Sequence, residues 1–108
     1  MNIELTKSFK RAFKRLHKKY QSLDNDLDKL LDSLEENPLQ GDELGRDCFK
    51  VRMAIESKNR GKSGGSRVIT CVKIIDETMF LLTMYDKGEQ STIKDKELKE
   101  LLKEAGIE

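Results

Sequence analysis

The hydrophobic period of this chain changes once, and that change restricts the folds open to it. Phe9, Ala12, Phe13, Leu16 and Tyr20 recur at helical spacing, and Leu23, Leu27, Leu30, Leu31 and Leu34 form a second helical stripe. From Cys48 onward the period is two: Phe49, Val51, Met53 and Ile55 alternate with Cys48, Lys50, Arg52 and Ala54, the mark of a half-buried strand. A helical first part and a strand-rich second part exclude all-helical and all-strand folds, and they point to an α+β domain.

The punctuation fixes the elements. Asn2–Leu5 reads as a short strand, and Thr6 is a good N-cap for a helix over residues 7–20. Ser22 or Asp24 caps the second helix, which Asn37-Pro38 ends, so the two helices form a hairpin. Pro38 to Gly45 reads as a loop. After the strand beginning at Cys48 comes a glycine loop, Arg60-Gly61-Lys62-Ser63-Gly64-Gly65-Ser66-Arg67. Arg67 to Ile75 and Thr78 to Tyr85 are further strands around a tight Asp76-Glu77 turn, and short connections favour an antiparallel meander. A last helix from about Asp95 to Ala105 shows Leu98, Leu101 and Leu102 on one side and stops at Gly106. The expected order is β-αα-βββ-α: a mostly antiparallel twisted sheet, a helical hairpin and a C-terminal helix, all helices on one sheet face, in a single domain over residues 1–108.

The net charge of +1 hides a strongly segregated distribution. Residues 1–20 hold seven Lys/Arg and one acid, residues 21–47 nine acids and two bases, and Phe49 to Lys73 seven Lys/Arg and only Glu56 as an acid. The two basic segments make one patch if the fold joins them. Apolar runs are too short to span a bilayer and the first residues lack signal-peptide character, so a cytoplasmic setting is expected. Cys48 and Cys71 have no CxxC spacing and read as buried reduced thiols.

The glycine loop carries the chemistry. Glycines let a main chain turn and approach a ligand closely, and Arg60, Lys62 and Arg67 add three cations. If Phe49, Val51, Met53 and Ile55 face the core, Lys50 and Arg52 face away from it, while Tyr85 and Lys87 close the last strand. The meander can gather these on one phosphate-binding concavity holding a phenol and no carboxylate.

Gly61-Lys62-Ser63 lies between strands and lacks the preceding Walker glycine, so it is not a nucleotide loop. Asp24, Asp26 and Asp28 lack the glycine and glutamate of a calcium loop. His17 sits among lysines and reads as a surface residue, and no His/Cys cluster has zinc spacing. No metal and no cofactor is expected. What remains is metal-free phosphate chemistry on RNA, with a 2′-hydroxyl as nucleophile and cations stabilising the phosphorane.

These residues resemble the RelE/HigB-like toxins of bacterial and archaeal type II toxin–antitoxin modules. Gly61-Lys62-Ser63-Gly64-Gly65-Ser66-Arg67-Val68-Ile69 looks like the GKSGGxRVI signature of the HigB-like branch. Phe80-Leu81-Leu82-Thr83-Met84-Tyr85-Asp86-Lys87 matches its LLxxYxK segment, and Glu97-Leu98-Lys99-Glu100-Leu101-Leu102 its C-terminal helix. The pI of about 7.7 is lower than is common in such toxins. The resemblance implies a cytoplasmic endoribonuclease that cuts mRNA on the ribosome and a cognate antitoxin, of the helix-turn-helix DNA-binding kind, that neutralises it. It implies catalytic roles for Arg67, Tyr85, Lys87 and Lys62, RNA or phosphate binding by Arg52, Arg60, Lys50, Gly64 and Gly65, and ribosome contact by Lys10, Lys14 and Lys18. The alternatives are a ParE-like inhibitor of DNA gyrase, and an inactive member that only binds its antitoxin.

Overall fold

The computed structural model describes residues 1–58, 61 and 64–107. The chain runs β1 (Asn2–Leu5), α1 (Lys7–His17), α2 (Leu23–Glu36), β2 (Asp42–Gly45), β3 (Cys48–Met53), a 3-10 turn (Glu56–Lys58), β4 (Ser66–Lys73), β5 (Thr78–Asp86) and α3 (Asp95–Ala105). The five strands form one sheet in the order β1-β5-β4-β3-β2. β2 through β5 pair antiparallel, and β1 joins the far edge parallel to β5.

Thr6 explains how α1 starts. Its Oγ1 accepts from the Phe9 backbone N–H at 3.1 Å, the expected cap. The same hydroxyl lies 3.1 Å from the carbonyl oxygens of both Leu81 and Leu82, so the cap also fastens α1 to β5. Ser22 starts α2 without a side-chain cap; its Oγ donates to the Asp26 carboxylate at 2.8 Å. At the C-terminal end, Gly106 takes the left-handed conformation and closes α3.

Two sequence expectations change. Residues 42–45 are a strand rather than part of a loop, pairing with β3 through a two-residue turn in which Arg46 and Asp47 are both left-handed. The helices also do not share a sheet face. Phe9, Leu16, Leu27, Leu30 and Leu34 of α1 and α2 cluster with Val51, Met53, Val68, Met79, Leu81 and Met84. Leu98 and Leu102 of α3 cluster instead with Cys48, Ile69, Cys71, Leu82 and Tyr85, which project to the opposite side. β4 is therefore sandwiched, and Ser66 through Val72 are all buried. Covering both faces removes more apolar surface from water than a two-layer arrangement of the same elements could.

Candidate RNA-cleaving surface

β3, β4 and β5 bring the sequence-predicted residues into register. Arg52 pairs with Arg67 across β3 and β4, and Arg67 pairs with Tyr85 across β4 and β5. One row across the sheet thus reads Arg52–Arg67–Tyr85, and Lys50 occupies the adjacent row opposite Ile69. Lys87 follows at the end of β5, where its backbone N–H donates to the Gly65 carbonyl at 3.0 Å.

Tyr85 joins this row because β5 carries a bulge. The ladder pairs Ile69 with Thr83 but Thr70 with Leu81, leaving Leu82 as an extra residue. Strict alternation from Met79 and Leu81 would aim Tyr85 into the α1–α2 core. The inserted residue reverses that, so Met84 enters the α1–α2 core and Tyr85 faces α3. The Thr6 hydroxyl sits on the bulged carbonyls.

The row is more enclosed than an open concavity. Arg52 is exposed and Lys50 and Lys87 are partly exposed, but Arg67 and Tyr85 are 5% and 4% exposed. Ile93 and Leu98, leading into and along α3, cluster with Tyr85. The Arg67 guanidinium donates to the Ser66 carbonyl at 3.1 Å. The Tyr85 hydroxyl is buried and has no hydrogen-bond partner among the described residues. Burial pushes its pKa above the usual phenol value; Arg67 pulls it down and Glu97 pushes it up. Glu97 is thus an acid close to a face expected to have none, brought by α3.

Gly65 serves packing as well as turning. A side chain there would meet the Met53 carbonyl at 2.3 Å and the Ile55 nitrogen at 2.9 Å, so the loop passes directly against the end of β3. Gly64 is partly exposed beside it, while Lys62 and Arg60, both expected at the site, lie outside the described residues. Lys10 and Lys14 on α1 and Lys18 at its C-cap are exposed at four-residue spacing, one stripe of the basic helix. His17 is exposed and 3.7 Å from Asp24, as a surface residue would be.

Sequence reasoning missed Asp86, which is 2% exposed on the α1–α2 side. Its Oδ1 accepts from Lys58 Nζ at 2.7 Å and from the Gly88 N–H at 2.9 Å, and its Oδ2 accepts from the Tyr20 hydroxyl. Burial alone would push this carboxyl up; the bonds from Lys58, Tyr20 and Gly88 outweigh burial and bring it down to about 2. The signal was an acid between Tyr85 and Lys87 on a strand, where neighbours face opposite ways. Cys48 and Cys71 are directly opposed in β3 and β4 and both buried, as reduced thiols were expected to be.

The chain belongs to the RelE family: the family model described as the RelE toxin of the RelE/RelB toxin–antitoxin system matches residues 6–107. Its fold is similar to that of a mutant of the Escherichia coli toxin RelE in the free state, with a TM-score of 0.56 and 19% identity over 97% of this chain and 93% of that one. A toxin of this family has an antitoxin as partner. Among the described residues no helix is long and apolar enough to cross a membrane.

Proposed function

We propose that this toxin is a metal-independent mRNA endoribonuclease that acts in the cytoplasm on the ribosome and is neutralised by a cognate helix-turn-helix antitoxin. The observation that carries the reading is the row Arg52–Arg67–Tyr85. Cationic side chains that start directly opposite one another on adjacent strands can engage one anion together. A phosphodiester fits, since planar guanidinium groups match phosphate oxygens bidentately.

In the reaction, the ribose 2′-oxygen attacks the adjacent phosphorus and loses its proton. The phosphorus–5′-oxygen bond breaks, and the leaving oxygen takes up a proton. The products are a 2′,3′-cyclic phosphate and a 5′-hydroxyl. Arg67, with Lys62, stabilises the charge that builds on the phosphorane, and such preorganised donors supply much of a catalytic effect. Arg52, Arg60, Lys50 and the main chain at Gly64 and Gly65 hold the flanking phosphates. Tyr85 orients the nucleophile or stacks on a base, and Lys87 handles a proton. Tyr85 meets RNA only when the Ile93–Leu98 segment over it gives way. Lys10, Lys14 and Lys18 contact ribosomal RNA, an attraction that weakens steeply with salt.

Induced expression tests the proposal. Growth arrest with translation-dependent mRNA cleavage, both lost in Arg67→Ala, is the expected result. Arrest with intact mRNA and a DNA-damage response would replace the proposal with gyrase inhibition, and harmless expression would leave an antitoxin-binding member only.

A further inference from the structure

Lys58 and Gly65, on either side of residues 59–63, are both tied to one short stretch of chain, residues 86–88. Lys58 Nζ donates to Asp86 Oδ1 at 2.7 Å. The Gly65 carbonyl accepts from the Lys87 N–H at 3.0 Å. The same Oδ1 accepts from the Gly88 N–H at 2.9 Å, which fixes the turn that displays Lys87. Tyr20, between α1 and α2, braces the other carboxylate oxygen, and Lys19 Nζ lies 4.0 Å from it. The Lys58 ammonium also sits 5.6 Å from the centre of the Tyr20 ring.

We infer that Asp86, Tyr20 and Lys58 form a positioning clamp, which fixes Lys58 and the Gly65 main chain against the Tyr85–Lys87 rim of the candidate RNA-cleaving surface. The inference rests on the nuclease reading above. None of the three touches substrate. Asp86 is on the sheet face opposite Tyr85 and acts through the backbone of its neighbours and through the loop. A purely stabilising contact in this place is better made by apolar side chains, since a buried ion pair gains little over a hydrophobic replacement. A carboxylate held by Lys58, Tyr20 and Gly88 specifies geometry instead. Catalysis is sensitive to such geometry, because reacting groups displaced by an ångström lose much of their advantage.

The test uses full-length toxin and mRNA programmed on ribosomes, with Tyr20→Phe, Lys58→Met and Lys58→Arg, each also combined with Asp86→Asn. Tyr20→Phe and Lys58→Met should lower kcat about tenfold to a hundredfold with KM changed by less than about twofold, as misplacement rather than lost binding requires. Lys58→Arg should restore most of the rate. The double variants should fall less than the product of the singles, because the three residues act as one unit. Wild-type kcat in a variant of lowered melting temperature would overturn the clamp and leave an ordinary structural contact. If Lys58→Met fails to fold, Tyr20→Phe, which deletes one hydroxyl, still decides. If the wild-type toxin cuts no mRNA, the nuclease reading fails by itself. The clamp is then read from amide hydrogen exchange at Ser66, Lys87 and Gly88: faster exchange in Tyr20→Phe supports it, and unchanged exchange overturns it.

Discussion

Tyr85 and Asp86 are neighbours on β5 that face opposite sides of the sheet and live under opposite rules. Asp86 accepts hydrogen bonds at both carboxylate oxygens, from two side chains and one amide. Tyr85 is as deeply buried, and its hydroxyl has no partner among the described residues. An unsatisfied buried hydroxyl costs roughly 1–3 kcal/mol, a cost carried at Tyr85 and avoided at Asp86. The residue that is fully satisfied helps to hold the fold. The residue that is not is the one proposed to meet a substrate.

The comparison breaks most visibly at Asp86. Asp86→Ala leaves the Lys58 ammonium, which is 13% exposed, without its carboxylate; unfolding in urea should show a loss of about 3–5 kcal/mol. Arg67→Ala should lower mRNA cleavage by about a hundredfold to a thousandfold, the effect of removing one donor to a developing oxyanion. The melting curve of that variant should show whether the arginine serves fold, reaction or both.

Acid sharpens the contrast. The Asp86 carboxyl is brought from 3.8 down to about 2 in the folded protein. Its ionised form therefore adds stability above pH 4, and that stability is lost as pH falls through about 2. Wild-type protein should lose about 2 kcal/mol more than Asp86→Asn between pH 5 and pH 2 in urea titrations. The smallest effect belongs to Tyr85→Phe. Removing the orphaned hydroxyl should leave stability unchanged or raise it by about 1 kcal/mol, while cleavage falls. Because burial raises the Tyr85 pKa, wild-type protein should also lose stability relative to Tyr85→Phe as pH rises past 10. A Tyr85→Phe protein that is less stable than wild type at neutral pH would remove the basis of the comparison.

Much of this was legible in the sequence, and the gaps have physical causes. Local periodicity found β1, both hairpin helices, β3 and α3, because each has a clear apolar side, and β4 and β5 were legible as apolar, β-branched-rich runs between turns. β2 escaped because Asp42-Glu43-Leu44-Gly45 has a single apolar residue and forms a short, irregular edge ladder. The position of α3 escaped because the stripe Leu98, Leu101, Leu102 says that a helix has a buried side, not which layer buries it. A clue was present in Val68-Ile69-Thr70-Cys71-Val72, a continuous run of the kind expected of a strand covered on both faces. The row Arg52–Arg67–Tyr85 was anticipated as a set, but its enclosure was not. Tyr85 shares a face with Arg67 only because of the extra residue at Leu82, and Met79-Phe80-Leu81-Leu82, apolar at every position, offers no alternation in which a bulge could show.

The parallel pairing of β1 with β5 sets an order of events during synthesis. Asn2–Leu5 find their partners in Thr78–Leu81, which leave the ribosome later by several seconds at ~5–20 residues per second. Until then the first strand has no sheet to join, the Thr6 hydroxyl has no bulge to fasten, and Arg67 has no Tyr85 beside it. Closure of the sheet edge and assembly of the cationic row are thus one late event, and the growing chain carries neither until Tyr85 has left the ribosome.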